Sequence, residues 1–156
     1  MNIIKLSGVE VNYPIGEYME ETIGVVKKLV EEYLKHETPD KPINVFCMGS
    51  SGAIMAAIFA TIVPNVTILH IKKDGEDTHS KYFEREIKNF CKKENLVNII
   101  IDDSIVSGKT LNSIYSKLYE SIIIDYLILG YGRDIEYKLG KIDFKPNTLI
   151  YTNNRD

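Results

Sequence analysis

The stretch IIIDDSIVSGKTL, residues 99–111, decides the fold. Ile99, Ile100 and Ile101 form an apolar run of strand composition. Beyond Gly108-Lys109-Thr110, the residues Leu111, Ile114, Tyr115 and Leu118 recur at helical spacing and predict a helix over residues 110–120. A strand therefore passes into a helix through a short polar turn.

The same alternation extends in both directions. Residues 43–48 (INVFCM), 66–71 (VTILHI), 97–101 and 122–129 are apolar runs too short for helices, and each reads as a strand buried on both faces. Residues 17–35 carry Ile23, Val26, Leu29, Val30, Tyr33 and Leu34 along one helical stripe, with Glu20, Glu21, Glu31 and Glu32 mostly elsewhere; Thr38-Pro39-Asp40 stops this helix. Gly49-Ser50-Ser51-Gly52 opens a second helix over residues 53–61, and Phe83, Ile87 and Phe90 mark a third over residues 81–94. At the start, residues 3–6 and 9–11 flank the turn dipeptide Ser7-Gly8 and predict a small hairpin. Strands that are apolar throughout, alternating with helices, predict an open, mostly parallel α/β sheet with helices on both faces, a Rossmann-like core.

Bulk properties narrow the function. The chain has 156 residues, 44% of them hydrophobic, which matches a single domain over 1–156 with one buried core. A formal net charge of −3 leaves no sequence-wide basic field for a nucleic-acid backbone, so any anion must be gripped locally. Cys47 and Cys91 are too few for a disulfide framework or a zinc site, and His36, His70 and His79 are scattered. No apolar run reaches membrane-spanning length and the first residues lack a signal-peptide pattern, so the expectation is a cytoplasmic protein with neither membrane nor nucleic-acid partners.

Gly-Lys-Thr invites a P-loop reading, which the spacing disfavours. A Walker A loop, G-x-x-x-x-G-K-[ST], would place its first glycine at position 103, where Asp103 sets a Cβ and a negative charge against the phosphates to be held. The stretch divides more naturally into an acidic front and an amide-rich back. Asp102 and Asp103 can accept hydrogen bonds from a vicinal diol. Ser104 to Thr110, entering a helix N-terminus with a glycine for close approach and the hydroxyls of Ser107 and Thr110, suits one terminal phosphate. A diol at one end and a phosphate a sugar's length away describe a ribose phosphate.

On these residues the sequence resembles the type I phosphoribosyltransferases, whose fingerprint is an apolar strand, two acidic residues, a short spacer and Ser/Thr-Gly-x-Thr. The resemblance implies that Asp102 and Asp103 engage the ribose hydroxyls of phosphoribosyl diphosphate (PRPP), and that Ser104, Ile105, Val106, Ser107, Gly108, Lys109 and Thr110 cradle its 5-phosphate. The turn Gly49-Ser50-Ser51-Gly52, after INVFCM, looks like the family's diphosphate loop; ordinary helix N-capping is the competing reading. The polar tract of residues 70–80 looks like the mobile catalytic loop, with Lys72 or Lys73 over the leaving diphosphate and Asp74-Gly75 in the turn; a solvated loop tip competes. The family brackets that loop with a strand pair, whereas residues 81–94 have a helical pattern.

The resemblance also implies Mg²⁺ bound mainly through PRPP, with no side chain named as a metal ligand, and a homodimer. A small hood near the termini would cover a nucleobase; the candidates are Tyr13 and Pro14, and Tyr131, Gly132, Arg133 and Asp134, with a plain surface turn as the alternative for the latter group. The implied activity is phosphoribosyl transfer from PRPP to a nucleobase or related acceptor. The alternative is a non-catalytic PRPP- or nucleotide-binding regulatory protein of the same fold.

Overall fold

The computed structural model describes residues 1–11, 14–38, 40–73 and 95–154. The elements are β1 (Asn2–Val11), α1 (Met19–Leu34), β2 (Ile43–Cys47), α2 (Gly49–Ile62), β3 (Val66–His70), β4 (Val97–Asp102), α3 (Lys109–Ser116), β5 (Tyr126–Gly132), a short α4 (Ile135–Leu139) and β6 (Thr148–Asn154). The helix expected over residues 81–94 and most of the loop before it lie outside the described residues.

The six strands form one sheet in the order β1-β6-β5-β4-β2-β3, and every pairing is parallel. Burial of the strands on both faces requires helices on both sides, and two apolar clusters meet that need. On one face Val45, Cys47, Ile99, Ile101 and Ile128 pack with Val26, Leu29 and Tyr33 of α1 and Met55 and Phe59 of α2. On the other, Phe46, Leu69, Ile100 and Leu127 pack with Leu111 and Ile114 of α3 and with Phe144. The period-2 alternation of the pleat sorts neighbouring residues of one strand into opposite clusters. No described helix is long and apolar enough to cross a membrane.

The structure departs from the sequence expectations in several places. Residues 2–11 are one strand, not a hairpin: residues 2–6 and 10–11 pair with β6 in parallel, and the register jumps between Leu6 and Glu10, so Ser7-Gly8-Val9 bulge out instead of reversing the chain. In α1 the buried stripe is Thr22, Val25, Val26, Leu29, Val30 and Tyr33, while Ile23 and Leu34 stay 36% and 40% exposed. Residues 122–125 precede β5 instead of opening it, which extends through Tyr131 to Gly132. β6 carried no strand expectation, because Thr148, Thr152, Asn153 and Asn154 interrupt its apolar character; Thr152 is fully buried and donates its hydroxyl hydrogen to Gly130 O.

Chain order fixes where a ligand can sit. From β2 the chain moves outward to β3, then crosses back to place β4 on the other side of β2. The turns leaving β2 and β4 therefore diverge around a crevice at the carboxyl ends of adjacent strands, where open α/β sheets bind ligands.

Candidate functional site

The turn after β2 and the stretch after β4 face one cavity of about 220 Å³. It is lined by Met48, Gly49, Ser50 and Ser51 on one side, by Asp102 through Leu111 on the other, and by Lys73. The structure thus brings together residues fifty positions apart in sequence that were singled out for one ligand.

Asp102 ends β4 and is 6% exposed. Its Oδ1 accepts the N–H of Asp103 at 2.9 Å, and Asp103 Oδ1 in turn accepts the N–H of Ser104 at 2.7 Å. Burial, reinforced by the neighbouring Asp103 charge, pushes the Asp102 carboxyl up to about 7, while the Lys73 ammonium acts in the opposite direction. The main-chain carbonyl of Asp103 accepts the N–H of Tyr131 at 2.9 Å, tying the acidic pair to β5.

Beyond the pair, the side chain of Ile105 is buried in the core beneath α3, and Val106 at the loop tip is 72% exposed. Ile105 can therefore offer a ligand only its backbone. Gly108 caps α3 at φ +81°, a left-handed conformation that few side chains tolerate. The close approach it permits is on the loop's outer side, since a Cβ there would stand 2.7 Å from Lys141 O. Lys109 N–H donates to Ser107 Oγ at 3.3 Å, a local cap at the helix entrance. Lys109, Thr110 and Leu111 of the first turn of α3 line the cavity, and a helix N-terminus there is a suitable place for an anion.

Across the cavity, Gly49 adopts φ +77° and starts α2. A Cβ on it would come within 3.3 Å of both Cε and Nζ of Lys73, so glycine here lets the ammonium lie over the turn. His70 Nε2 lies 3.4 Å from Gly49 O. Gly52 points away from the cavity into the α2–β4 packing, where a Cβ would meet Cys47 Cβ and Ile101 O at 3.3 Å. Cys47 lies beneath, its thiol pushed up to about 12 by burial and by Asp102, which makes it inert as a nucleophile.

Of the two candidate cations only Lys73 lines the cavity; the exposed Lys72 contributes its carbonyl, which accepts Lys117 Nζ at 2.7 Å. The base candidates are not brought to it. Tyr131 packs partly buried against the α1/α2 cluster, and Arg133 and Asp134 are exposed, Asp134 capping α4 at φ +52°. Tyr13 lies outside the described residues.

Two features of the site carried no sequence expectation. Ile15 and Gly16 strap the mouth of the sheet: Ile15 is 6% exposed and packs so tightly on β5 that a Cβ at Gly130 would stand 3.0 Å from its Cγ1. Ile15 O accepts Ser51 Oγ at 3.4 Å, and Gly16 N–H donates to Thr22 Oγ1 at 2.9 Å. The Pro-Ile-Gly triplet ahead of α1 was the available signal. The second feature is the segment at Lys141, behind the Gly108 loop.

The donor set does not form a metal cage. Among the described residues no group of three or more His, Cys, Asp and Glu could hold a metal ion, so two carboxylates and a substrate's own oxygens are what a hard cation would meet here.

No family model matches the sequence, and no curated protein matches it. Among solved structures, adenine phosphoribosyltransferase from Thermoanaerobacter pseudethanolicus superimposes with a TM-score of 0.57 at 11% identity, over 90% of this chain and 84% of that one. A hypoxanthine phosphoribosyltransferase from Staphylococcus aureus gives a TM-score of 0.50 at 15% identity, over 90% of this chain and 77% of that one. A six-stranded parallel sheet, the site-bearing turns at its switch point and these likenesses agree: the chain has the type I phosphoribosyltransferase-like α/β fold.

Proposed function

We propose that the protein is a Mg²⁺-dependent phosphoribosyltransferase that uses PRPP and a nucleobase or related acceptor and releases diphosphate. The observation that carries this reading is the pairing, across one cavity, of Asp102-Asp103 and the Gly108-capped helix with the Lys73-covered Gly49 turn. In it, Asp102 and Asp103 take the ribose hydroxyls, Ser104 through Thr110 hold the 5-phosphate, and Gly49, Ser50 and Ser51 form the diphosphate turn, with Gly52 packing beneath it. Departure of diphosphate from the anomeric carbon spreads positive charge over the ribose and negative charge over the leaving group. The acidic pair, Asp102 buried and Asp103 half-buried, faces the former and Lys73 the latter, so the chain's contribution is positioning and preorganised charge. Bound Mg²⁺ supplies further neutralisation of the diphosphate oxygens. The reading includes a cytoplasmic location and a homodimer.

A second reading, a regulatory protein that binds PRPP or a nucleotide without turnover, is favoured by one observation: Tyr131, Arg133 and Asp134 do not line the cavity. The discriminating experiment incubates the full chain with Mg²⁺, PRPP and a panel of nucleobases and follows diphosphate release. Base-dependent release is the result expected. PRPP or nucleotide binding without turnover for any base selects the regulatory reading, and absence of both PRPP and nucleotide binding removes both readings.

A further inference from the structure

The phosphate loop is held from behind by a segment far along the chain. Asn112, on α3, uses both ends of its side-chain amide on that segment: Nδ2 donates to Lys141 O at 2.9 Å, and Oδ1 accepts the N–H of Asp143 at 2.7 Å. The carbonyl that Asn112 grips is the one seated against Gly108. Lys141 Nζ folds back to lie 3.4 Å from Val106 O and 5.0 Å from the centroid of the Tyr137 ring. The crossover from β5 to β6 is thereby fastened to both limbs of the loop, at Val106 before the left-handed glycine and at Asn112 after it.

We propose that Asn112 is a positioning residue for the 5-phosphate, a role that rests on the reading of the Ser104–Thr110 loop as a phosphate cradle. A cradle made of main-chain amides has no side-chain rotamers to fix its shape, and its tip is exposed. A bidentate side-chain-to-backbone bond on the face away from the ligand supplies that shape before the ligand arrives, so binding does not have to order the loop. The same bond joins the phosphate loop to the crossover that follows β5, whose first residues, Arg133 and Asp134, were among those singled out for the acceptor.

Titration of ribose 5-phosphate into the wild-type chain, Asn112→Ala and Asn112→Asp tests this. Asn112→Ala is expected to weaken binding about tenfold, the equivalent of one to two net hydrogen bonds. Asn112→Asp keeps the acceptor for Asp143 but sets a carboxylate oxygen against Lys141 O in place of the donor, so it is expected to weaken binding at least as much as Asn112→Ala, and it carries the test if Asn112→Ala fails to fold. A purely structural residue would lower the unfolding midpoint yet leave the dissociation constant within twofold of wild type; that result overturns the proposal while leaving the cradle intact. Failure of the wild-type chain to bind ribose 5-phosphate removes the cradle reading, and the role of Asn112 with it.

Discussion

The carbonyl oxygen of Lys141 stands 2.7 Å from the position a Cβ would occupy on Gly108. Gly108 is therefore constrained twice, by its φ of +81° and by a backbone atom that has no flexible end to swing aside. Gly8 provides the comparison, at φ +74° with nothing within 4 Å of a Cβ. Gly8→Ala should cost about 1–2 kcal/mol, the penalty of the left-handed conformation alone. Gly108→Ala should cost clearly more and should also weaken binding of a phosphorylated sugar, because the loop must move to admit the methyl group. Urea unfolding of the two variants side by side checks this, and equal losses would contradict it.

Asp102 makes stability depend on pH in an unusual direction for a carboxylate. Its folded value, about 7, lies above the ordinary range of an unfolded aspartate, so the folded state retains a proton that the unfolded chain gives up. Stability from this group is fully present at about pH 4 and below, and is lost as pH rises through about 7. Asp102→Asn should remove that slope and leave the unliganded chain more stable than wild type at neutral pH, by on the order of a few kcal/mol at most. Denaturant midpoints for both proteins at pH 5 and pH 7.5 provide the measurement; parallel pH profiles would show that Asp102 ionises normally. The same residue should make PRPP affinity fall as the solution is acidified below about 7.

Lys73 and Lys72 should separate cleanly. Lys73→Met removes the ammonium that lies over Gly49, and diphosphate release should slow by about 10²–10³-fold, the range for losing one preorganised charge-stabilising group. Lys72→Met leaves intact the carbonyl that Lys117 grips, so turnover should stay within a few-fold of wild type. Steady-state rates for the two variants settle the assignment, and the reverse ranking would transfer the role to Lys72.

Thr22 anchors the strap across the mouth of the sheet. It is 2% exposed, and its hydroxyl accepts the Gly16 N–H. Thr22→Val keeps the volume and strands a main-chain donor, at a cost of about 1–3 kcal/mol. Amide exchange at Gly16 should accelerate in the variant; unchanged protection there would mean that Ile15 packing alone holds the strap.

Much of the architecture was legible because parallel strands buried on both faces read as apolar runs, and residues 43–47 and 97–101 do so; residues 66–70 have the same composition and form the expected strand, but at the sheet edge, where only Leu69 is fully buried and the expected burial on both faces is not met. β6 was not legible, since its fitness for a central position comes from Thr152 finding Gly130 O, a partner visible only in three dimensions. The Ser7-Gly8 turn misled for a related reason: a glycine at positive φ serves a bulge as readily as a hairpin, and only pairing with β6 distinguishes them. At the site, residue types and spacing located the acidic pair and the amide-rich loop, which are contiguous in sequence. They did not reveal the Ile15 strap, the Asn112 clasp, or which lysine faces the cavity, because each is a contact between distant segments whose geometry depends on the folded sheet.

The buried amide pair of Asn44 and Asn98, 3.3 Å apart between β2 and β4, lies on the two strands that deliver the opposing halves of the cavity. A nascent chain that has emerged only through β3 owns the Gly49 turn and lacks its counterpart altogether. An intact cavity is thus an all-or-nothing property of the central seam, and separately expressed halves divided between β3 and β4 would recover it only by annealing along that seam.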